Sequence, residues 1–516
     1  MLTTLILAAL VCNINLSVAN IALPSIGRAF DTGQTQLNLV ALGCSLGLAM
    51  SVLYLGAIGD RYGRKLLLVV GLGLTLPLSF LAAYATSPGL LVTARILTGV
   101  AAGMAYPTTL ALITALWSPG RQRTRAIALW SGVSGGAAII GPVIAGALLE
   151  GFWWGSVFLI AVIPAAVALP LVLVCVPGRA NEATEPVDHL GGVLSVGMIG
   201  LLVLGVGMVS SPGMRSAAVI MLAVSAVLIV LFFVRQRRAT YPLFTLSYAA
   251  RPFFWVPATA GMIVFGAMMG SMFIGQQFLQ NVLSYSTFNA GLAVLPAAFG
   301  MVLAAPVSAR LLIAFGSRLT MLVGFGLILP GFVIMLVCWR EVTPYGFIGI
   351  AYLLVGLGAG IGMTPASRSL TSSVPVSKVG MASGTTDLER DLGGSIMQAL
   401  LGSLLTAGYA TAMLAQIGDS PDASKVTEQT QSALQQSFAG AANVASQFPT
   451  YASQITAAAR ESFLAGANWA YLAAIAAVLV GAVLVFWRLP GKAQEMTDLA
   501  EYQKADAQVD AGAVRA

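Results

Sequence analysis

Long apolar runs alternate along the chain with short polar turns. A helix needs about 20 apolar residues to cross the hydrocarbon core of a bilayer. Fourteen runs reach that length: roughly 4–24, 38–58, 66–86, 89–112, 124–149 and 153–176, then 190–210 and 214–235, then 252–282, 288–309, 319–339, 344–366, 379–413 and 463–488. The ninth and thirteenth exceed one crossing and are expected to protrude into water. The first starts almost at Met1, and Ser17-Val18-Ala19 has the small residues of a signal-peptide cleavage site. No basic segment precedes it and further spans follow at once, so it reads as a span.

Composition sharpens this to a class. Of the 516 residues, 58% are hydrophobic and only 9% are charged, with a mean hydropathy of +0.88. A multispan membrane protein has this make-up, and a soluble domain of this size does not. The net charge of +7 would point to nucleic acid in a soluble protein. Here the basic residues sort into turns, so topology accounts for them and no nucleic-acid partner is expected. Of the 26 Lys and Arg, nineteen fall in the loops and tail of one side, five on the other, and Arg95 and Arg390 lie within spans. The positive-inside rule then places both termini in the cytoplasm. Cys12, Cys44, Cys175 and Cys338 lie in apolar runs without ligand spacing, so neither a metal nor a disulfide is expected. His189, the one histidine, sits in a polar loop, and no Walker loop is present. No enzyme activity and no cofactor are expected.

The turn between the second and third runs reads GAIGDRYGRK, Gly56 to Lys65, with Asp60 among Arg61, Arg64 and Lys65. Gly56, Gly59 and Gly63 permit a tight turn and close helix approach. Asp60 and Arg64 stand at i and i+4 and can pair if the turn is helical. The bland alternative is an ordinary basic membrane turn. The string resembles the signature loop between spans two and three of major facilitator superfamily transporters. The whole chain resembles the fourteen-helix drug:proton antiporter branch of that superfamily, on SVANIALPSI from Ser17, DHLGGVLSVG from Asp188, QFLQNVLSYSTFNAGLAVLP from Gln277 and VGMASGTTDLERDLGGS from Val379. The resemblance implies an all-α integral membrane protein of the major facilitator fold, two six-helix bundles with two inserted helices. The division would be 1–180 for the first bundle, 181–250 for the inserted pair and its linkers, and 251–490 for the second bundle. The loop at 413–462 would lie outside as one or two amphipathic helices, and the tail at 491–516 would be frayed helix or coil in the cytoplasm. SARLLIAFGSR, Ser308 to Arg318, occupies the matching place in the second bundle, with Gly316 for Gly63 but Ile313 in place of the acid. Gly56, Asp60, Arg61, Gly63 and Arg64 are the expected cytoplasmic gate.

Candidates for the transport chemistry follow from polar residues inside spans, which are costly there and therefore functional by default. Arg95 stays charged and can act only by tuning an acid or gripping an anion; the alternative is snorkelling to the headgroups. It resembles the fourth-span arginine used by the family in proton coupling, and Glu150 is its nearest acid by depth. Gly132, Gly136, Gly141, Pro142 and Gly146 form a kinked small-residue face in span five that resembles the family's antiporter motif, with Ala145 replacing a usual glycine. Asn13, Asn15, Ser17 and Asn20 give the first span a polar line, and Asn15 stands where the family commonly has an Asp. Tyr106 and Trp130, with Gln276, Gln277 and Gln280 at the outer end of span nine, are candidates to line a central cavity; for the aromatics, core packing is the alternative.

Antiport needs a group that changes protonation between the two faces. Asparagines cannot, and the arginines stay charged. Asp387, Glu389 and Asp391 beside Arg390, with Glu150, remain. Asp391, furthest of the three from the inner end of span thirteen, is the expected carrier. Thr386-x-x-Glu389 also reads as a capping box, which would make these acids mere helix caps. The function implied by the resemblance is proton-coupled export of amphipathic drug-like molecules by alternating access, from a monomer in the bacterial inner membrane. A dedicated exporter of one metabolite, lipid or antibiotic, and a non-transporting sensor or scaffold, are the alternatives.

Overall fold

The structure is a computed structural model that describes residues 1–32, 34–178, 185–209, 214–420 and 426–513; the side chains of Asn20, Gln34, Thr35, Thr287 and residues 507–513 lie outside the description. Every regular element among the described residues is helical. In chain order they are α1 (Leu2–Ser17), α2 (Ala19–Phe30), α3 (Gln34–Tyr62), α4 (Arg64–Ala83), α5 (Pro88–Leu116), α6 (Arg121–Gly151), α7 (Ser156–Leu159), α8 (Val162–Cys175), α9 (His189–Met208) and α10 (Arg215–Arg238). There follow α11 (Leu246–Ala249), α12 (Pro252–Gln277), α13 (Thr287–Ala293), α14 (Leu295–Cys338), α15 (Tyr345–Ser372), α16 (Val379–Gly418), α17 (Glu428–Gln436), α18 (Phe438–Gln447), α19 (Ala452–Arg488) and α20 (Lys492–Ala513).

By length and composition, 12 helices among the described residues can cross a membrane, or 13 when the first bent pair counts as one span. The chain is a multi-pass membrane protein. The first crossing bends by 52° between Leu2–Ser17 and Ile21–Phe30. The Ser17 hydroxyl donates back to the carbonyls of Asn13 and Ile14 next to the break, a bond that bends helices. The 44-residue α14 carries the tenth and eleventh apolar runs as one element, but Gly316 inside it has φ 83 and ψ −179. A left-handed φ ends a helix, so two runs meet there, 295–315 and 317–338. Counted separately, they bring the structure close to the fourteen runs of the sequence.

Two apolar cores sit side by side. One gathers Leu5, Leu68, Leu110, Trp130 and Phe158 from α1 to α8. The other gathers Phe253, Phe325, Trp339, Tyr352 and Tyr471 from α12 to α19. Within each, small residues let helices cross closely. A Cβ on Gly356 of α15 would strike the Ala297 carbonyl on α14. The inserted α9 and α10 form a satellite on α3, with Met198, Ile199, Val203 and Phe232 against Leu46, Ala49, Val52 and Leu53. At their base Asp188 caps α9 through the Gly191 N–H and accepts from Arg235 at 3.0 Å.

α17 and α18 are short helices between α16 and α19. Both flanking spans are longer than expected, α16 reaching Gly418 and α19 starting at Ala452. Tyr409 donates to the Leu434 carbonyl at 3.1 Å, which ties α17 to α16.

The tail departs from expectation. It is a docked helix, not coil. Glu495, 3% exposed, accepts from the Ser317 N–H and hydroxyl at 2.8 Å each and from Arg368 at 2.7 Å. Lys492 donates to the Ala314 carbonyl at 3.0 Å. Further along, Asp506 pairs with Arg251 at 2.7 Å, and that guanidinium lies against the rings of Tyr248 and Tyr502. The acid absent at Ile313 is supplied from the far end of the chain, a long-range substitution with no local sequence signal. Glu495→Ala leaves Ser317 and Arg368 without their charged acceptor, a loss of about 2 kcal/mol or more. The expected outcome is a lower thermal midpoint in detergent, while Glu501→Ala, on the exposed face of the same helix, leaves it unchanged.

Candidate functional site

The basic end of the molecule is closed by one carboxylate. Gly63, with φ 122, separates α3 from α4. That break lets Asp60 and Arg64 face each other, and Asp60 accepts from Arg64 Nε at 3.0 Å and Nη2 at 2.8 Å. Asp60 also accepts from the Gly380 N–H at 2.8 Å, in the first turn of α16 in the other bundle. Arg64 in turn donates to the Val376 carbonyl at 2.6 Å. No side chain of α16's own sequence caps its start, so Asp60 does so from across the seam. A carboxylate there satisfies an orphan donor and meets the positive end of the helix dipole. The approach requires two glycines: a Cβ on Gly56 would lie 2.7 Å from the Gly380 carbonyl oxygen, and one on Gly380 would strike the Asp60 carboxylate. Arg61 is exposed at the rim.

α16 carries the central charges. Asp387 is 1% exposed, Glu389 3% and Arg390 6%, while Asp391 is half-buried. The helix starts at Val379, which places Asp387 about 12 Å along it. Thr386 donates to the Ala382 carbonyl inside the helix. The capping-box alternative is therefore removed. Successive helical residues diverge by about 100°, so the four side chains fan out. Arg390 donates to the Tyr106 hydroxyl on α5 and to Ser367 Oγ on α15 at 3.4 Å, and its guanidinium lies 4.9 Å from the Trp130 ring centroid on α6. Glu389 packs on Gly261 of α12, where a Cβ would meet its carboxylate. Asp387 is within electrostatic reach of Cys12 on α1, and Asp391 of Cys44 on α3. Neither oxygen of Asp387 or of Glu389 has a hydrogen-bond partner, and Oδ2 of Asp391 has none. A carboxylate buried without a donor is costly when charged, and a bound proton relieves the cost.

The other candidates divide. Asn13 borders the Tyr106 hydroxyl, while its amide donates to the Ala9 carbonyl. Asn15 does likewise to Val11, and its own carbonyl accepts from Arg95 at 2.7 Å. Arg95 is 1% exposed over the Phe158 ring, which rules out snorkelling. The expected partner Glu150 is exposed at the end of α6, and the guanidinium's Nε and Nη2 are without partners. The missing partner was a main-chain oxygen, which any residue type provides and no motif announces. Asn20 lies outside the described side chains. Gln276, Gln280 and Gln277 do not join the centre. They sit at the far end by a π-helical turn, Phe278–Val282, where Gln276 donates to the Ala290 carbonyl at 3.3 Å and Gln280 to Gln276. The small residues of α6 form the seam between bundles. Gly132 and Gly136 accept α14 around Ala298, Met301, Val302 and Ala305, Gly141 accepts α1 at Ser17, and Gly146 is in ordinary contact with Phe288. Pro142 lies in that stretch, inside α6. The central cavity expected from the sequence is shut here: Asn13, Tyr106, Trp130, Asp387 and Arg390 are all no more than 6% exposed.

Two bundles meeting along a small-residue seam, latched at one end and charged at the centre, set the context for comparison with known proteins. The family model described as "Major Facilitator Superfamily" matches residues 5–189 and 189–398. The chain belongs to the major facilitator superfamily. It is 34% identical to the multidrug efflux pump LfrA of Mycolicibacterium smegmatis, over 93% of each chain. It is 28% identical to the tetracenomycin C resistance and export protein of Streptomyces glaucescens, over 91% of this chain and 88% of that one. Among solved structures, the human organic anion transporter MFSD10 superposes with a TM-score of 0.59 at 15% identity, over 94% of this chain and 98% of that one, a likeness of fold.

Asp60→Asn keeps the shape but gives up the charged acceptor. The expected outcome is faster reaction of a cysteine placed at Ser383 with a water-soluble maleimide added at the basic end, with expression and membrane insertion unchanged. Labelling at the wild-type rate would remove the latch role.

Proposed function

We propose that this protein is a secondary transporter that exports amphipathic drug-like molecules in exchange for protons, by alternating access of its two bundles. The observation that carries the reading is the set of buried acids around Arg390, placed on an aromatic-lined seam between bundles. Full-length similarity to a multidrug efflux pump supports the substrate class. A central site lined by Tyr106 and Trp130 suits apolar, aromatic ligands, and acids without donors suit proton exchange. The latch at Asp60 supports a state closed at the basic end. The excess of basic residues at that end supports an inner-membrane orientation with both termini in the cytoplasm, and the monomer contains the whole site. Asp391 remains the favoured proton carrier, as the acid of the three furthest from the inner end of α16, with one carboxylate oxygen buried without a hydrogen-bond partner. Export of one dedicated antibiotic is the second reading, favoured by the similarity to the tetracenomycin exporter.

The deciding experiment is drug flux in proteoliposomes after a pH jump, across a panel of compounds. Asp391→Asn is expected to cut proton-driven flux at least tenfold while drug binding persists. Asp387→Asn and Glu389→Gln report whether the other acids share the role. Full proton-coupled flux in all three variants would refute antiport through this cluster, and flux of a single compound would favour the dedicated exporter.

A further inference from the structure

At the centre of the molecule a cation rests on an aromatic surface beside an acceptor that is not used. The Arg390 guanidinium carbon lies 4.9 Å from the Trp130 ring centroid and 5.7 Å from that of Tyr106. Those two rings stack on each other at 5.4 Å and 27°. The three groups thus form a near-equilateral triad, fastened by the Arg390 bond to the Tyr106 hydroxyl. Trp130 is held in place by its Nε1–H, which donates to Thr109 Oγ1 at 2.8 Å. One turn back along α16, Asp387 is 1% exposed and neither of its oxygens has a partner. Side chains at i and i+3 of a helix are neighbours. A guanidinium paired with a carboxylate forms the stronger hydrogen bonds. The molecule nonetheless holds this guanidinium on the rings and leaves that pair unmade.

We propose that Arg390 is the resident occupant of a ligand slot formed by Tyr106 and Trp130, and that a planar aromatic cation binds by replacing it there while the guanidinium turns to Asp387. The inference rests on the export reading for the existence of a ligand, and adds what that ligand looks like and which side chain leaves. A guanidinium is flat, delocalised and weakly hydrated, and it stacks on aromatic faces. The group that replaces it shares those properties. A compact, strongly hydrated ammonium does not. The exchange also conserves charge: the proton held by the unpartnered Asp387 is released as the guanidinium arrives, Arg390 and Asp387 become a neutral pair, and the incoming cation restores the positive charge on the rings. Because the triad has almost no exposed surface, the slot opens only when Arg390 vacates it.

The test uses the full chain in lipid nanodiscs. Direct binding of ethidium, a planar aromatic cation, is compared with that of phenanthridine, its uncharged planar parent, and tetraethylammonium, a cation without a ring. Arg390→Met, and equally Arg390→Gln should the first fold poorly, is expected to tighten ethidium at least tenfold. Phenanthridine gains severalfold and tetraethylammonium gains less than twofold. Adding Trp130→Leu to Arg390→Met returns ethidium to wild-type affinity or weaker. Arg390→Lys keeps a cation at the position and stays within about threefold of wild type. Unchanged or weaker ethidium binding in folded Arg390→Met and Arg390→Gln overturns the displacement while leaving export intact. An equal gain for tetraethylammonium also overturns it, because loss of repulsion alone would then suffice. If no compound binds wild type or any variant, the export reading falls with it.

Discussion

A helix start that lacks its own cap governs this structure. α16 begins at Val379 with no side chain of its own to hold the first N–H groups, and Asp60 of the opposite bundle takes that role through Gly380. Arg64 then neutralises the same carboxylate and reaches Val376. Breaking a buried, paired carboxylate of this kind costs about 3–5 kcal/mol. A bias of that size shifts a two-state equilibrium by more than about a hundredfold. A contact of that strength is enough to hold one end of the molecule shut.

The helix so capped also carries Asp387, Glu389, Arg390 and Asp391. Their placement therefore depends on the latch: a shift of α16 at Gly380 is transmitted along a rigid helix to the central charges about 10 to 17 Å away. That coupling is mechanical and needs no intermediate network. At the seam of α6, Gly132 and Gly136 seat α14 closely against α6.

The two halves solve the same problem differently. In the first, Asp60 reaches across to the other bundle. In the second, the matching position is Ile313, and Glu495 of the tail binds Ser317 and Arg368, all inside one bundle. The first half thus supplies the contact that joins the two bundles, whereas the second half is braced within itself.

The apolar runs determined the class and the inserted pair, because bilayer thickness imposes a length that can be read locally. The Gly56–Lys65 string likewise disclosed the Asp60–Arg64 pair, since i and i+4 are neighbours on any helix. The acids of span thirteen were visible as residues out of place in an apolar run. What each of them faces was not, because 100° between neighbours decides it and only packing sets the helix rotation. Asp60's second partner was hidden as well, since it is a backbone N–H at Gly380, hundreds of residues distant, and every residue but proline offers one. The same holds for Arg95, whose partner is the Asn15 carbonyl and not the acid Glu150. Glu495 is the clearest case: its sequence context is an ordinary polar tail, and its burial exists only because α20 folds back onto Ser317. Local chemistry belongs to the sequence, whereas contacts made through the backbone or across long separations exist only once the helices have packed.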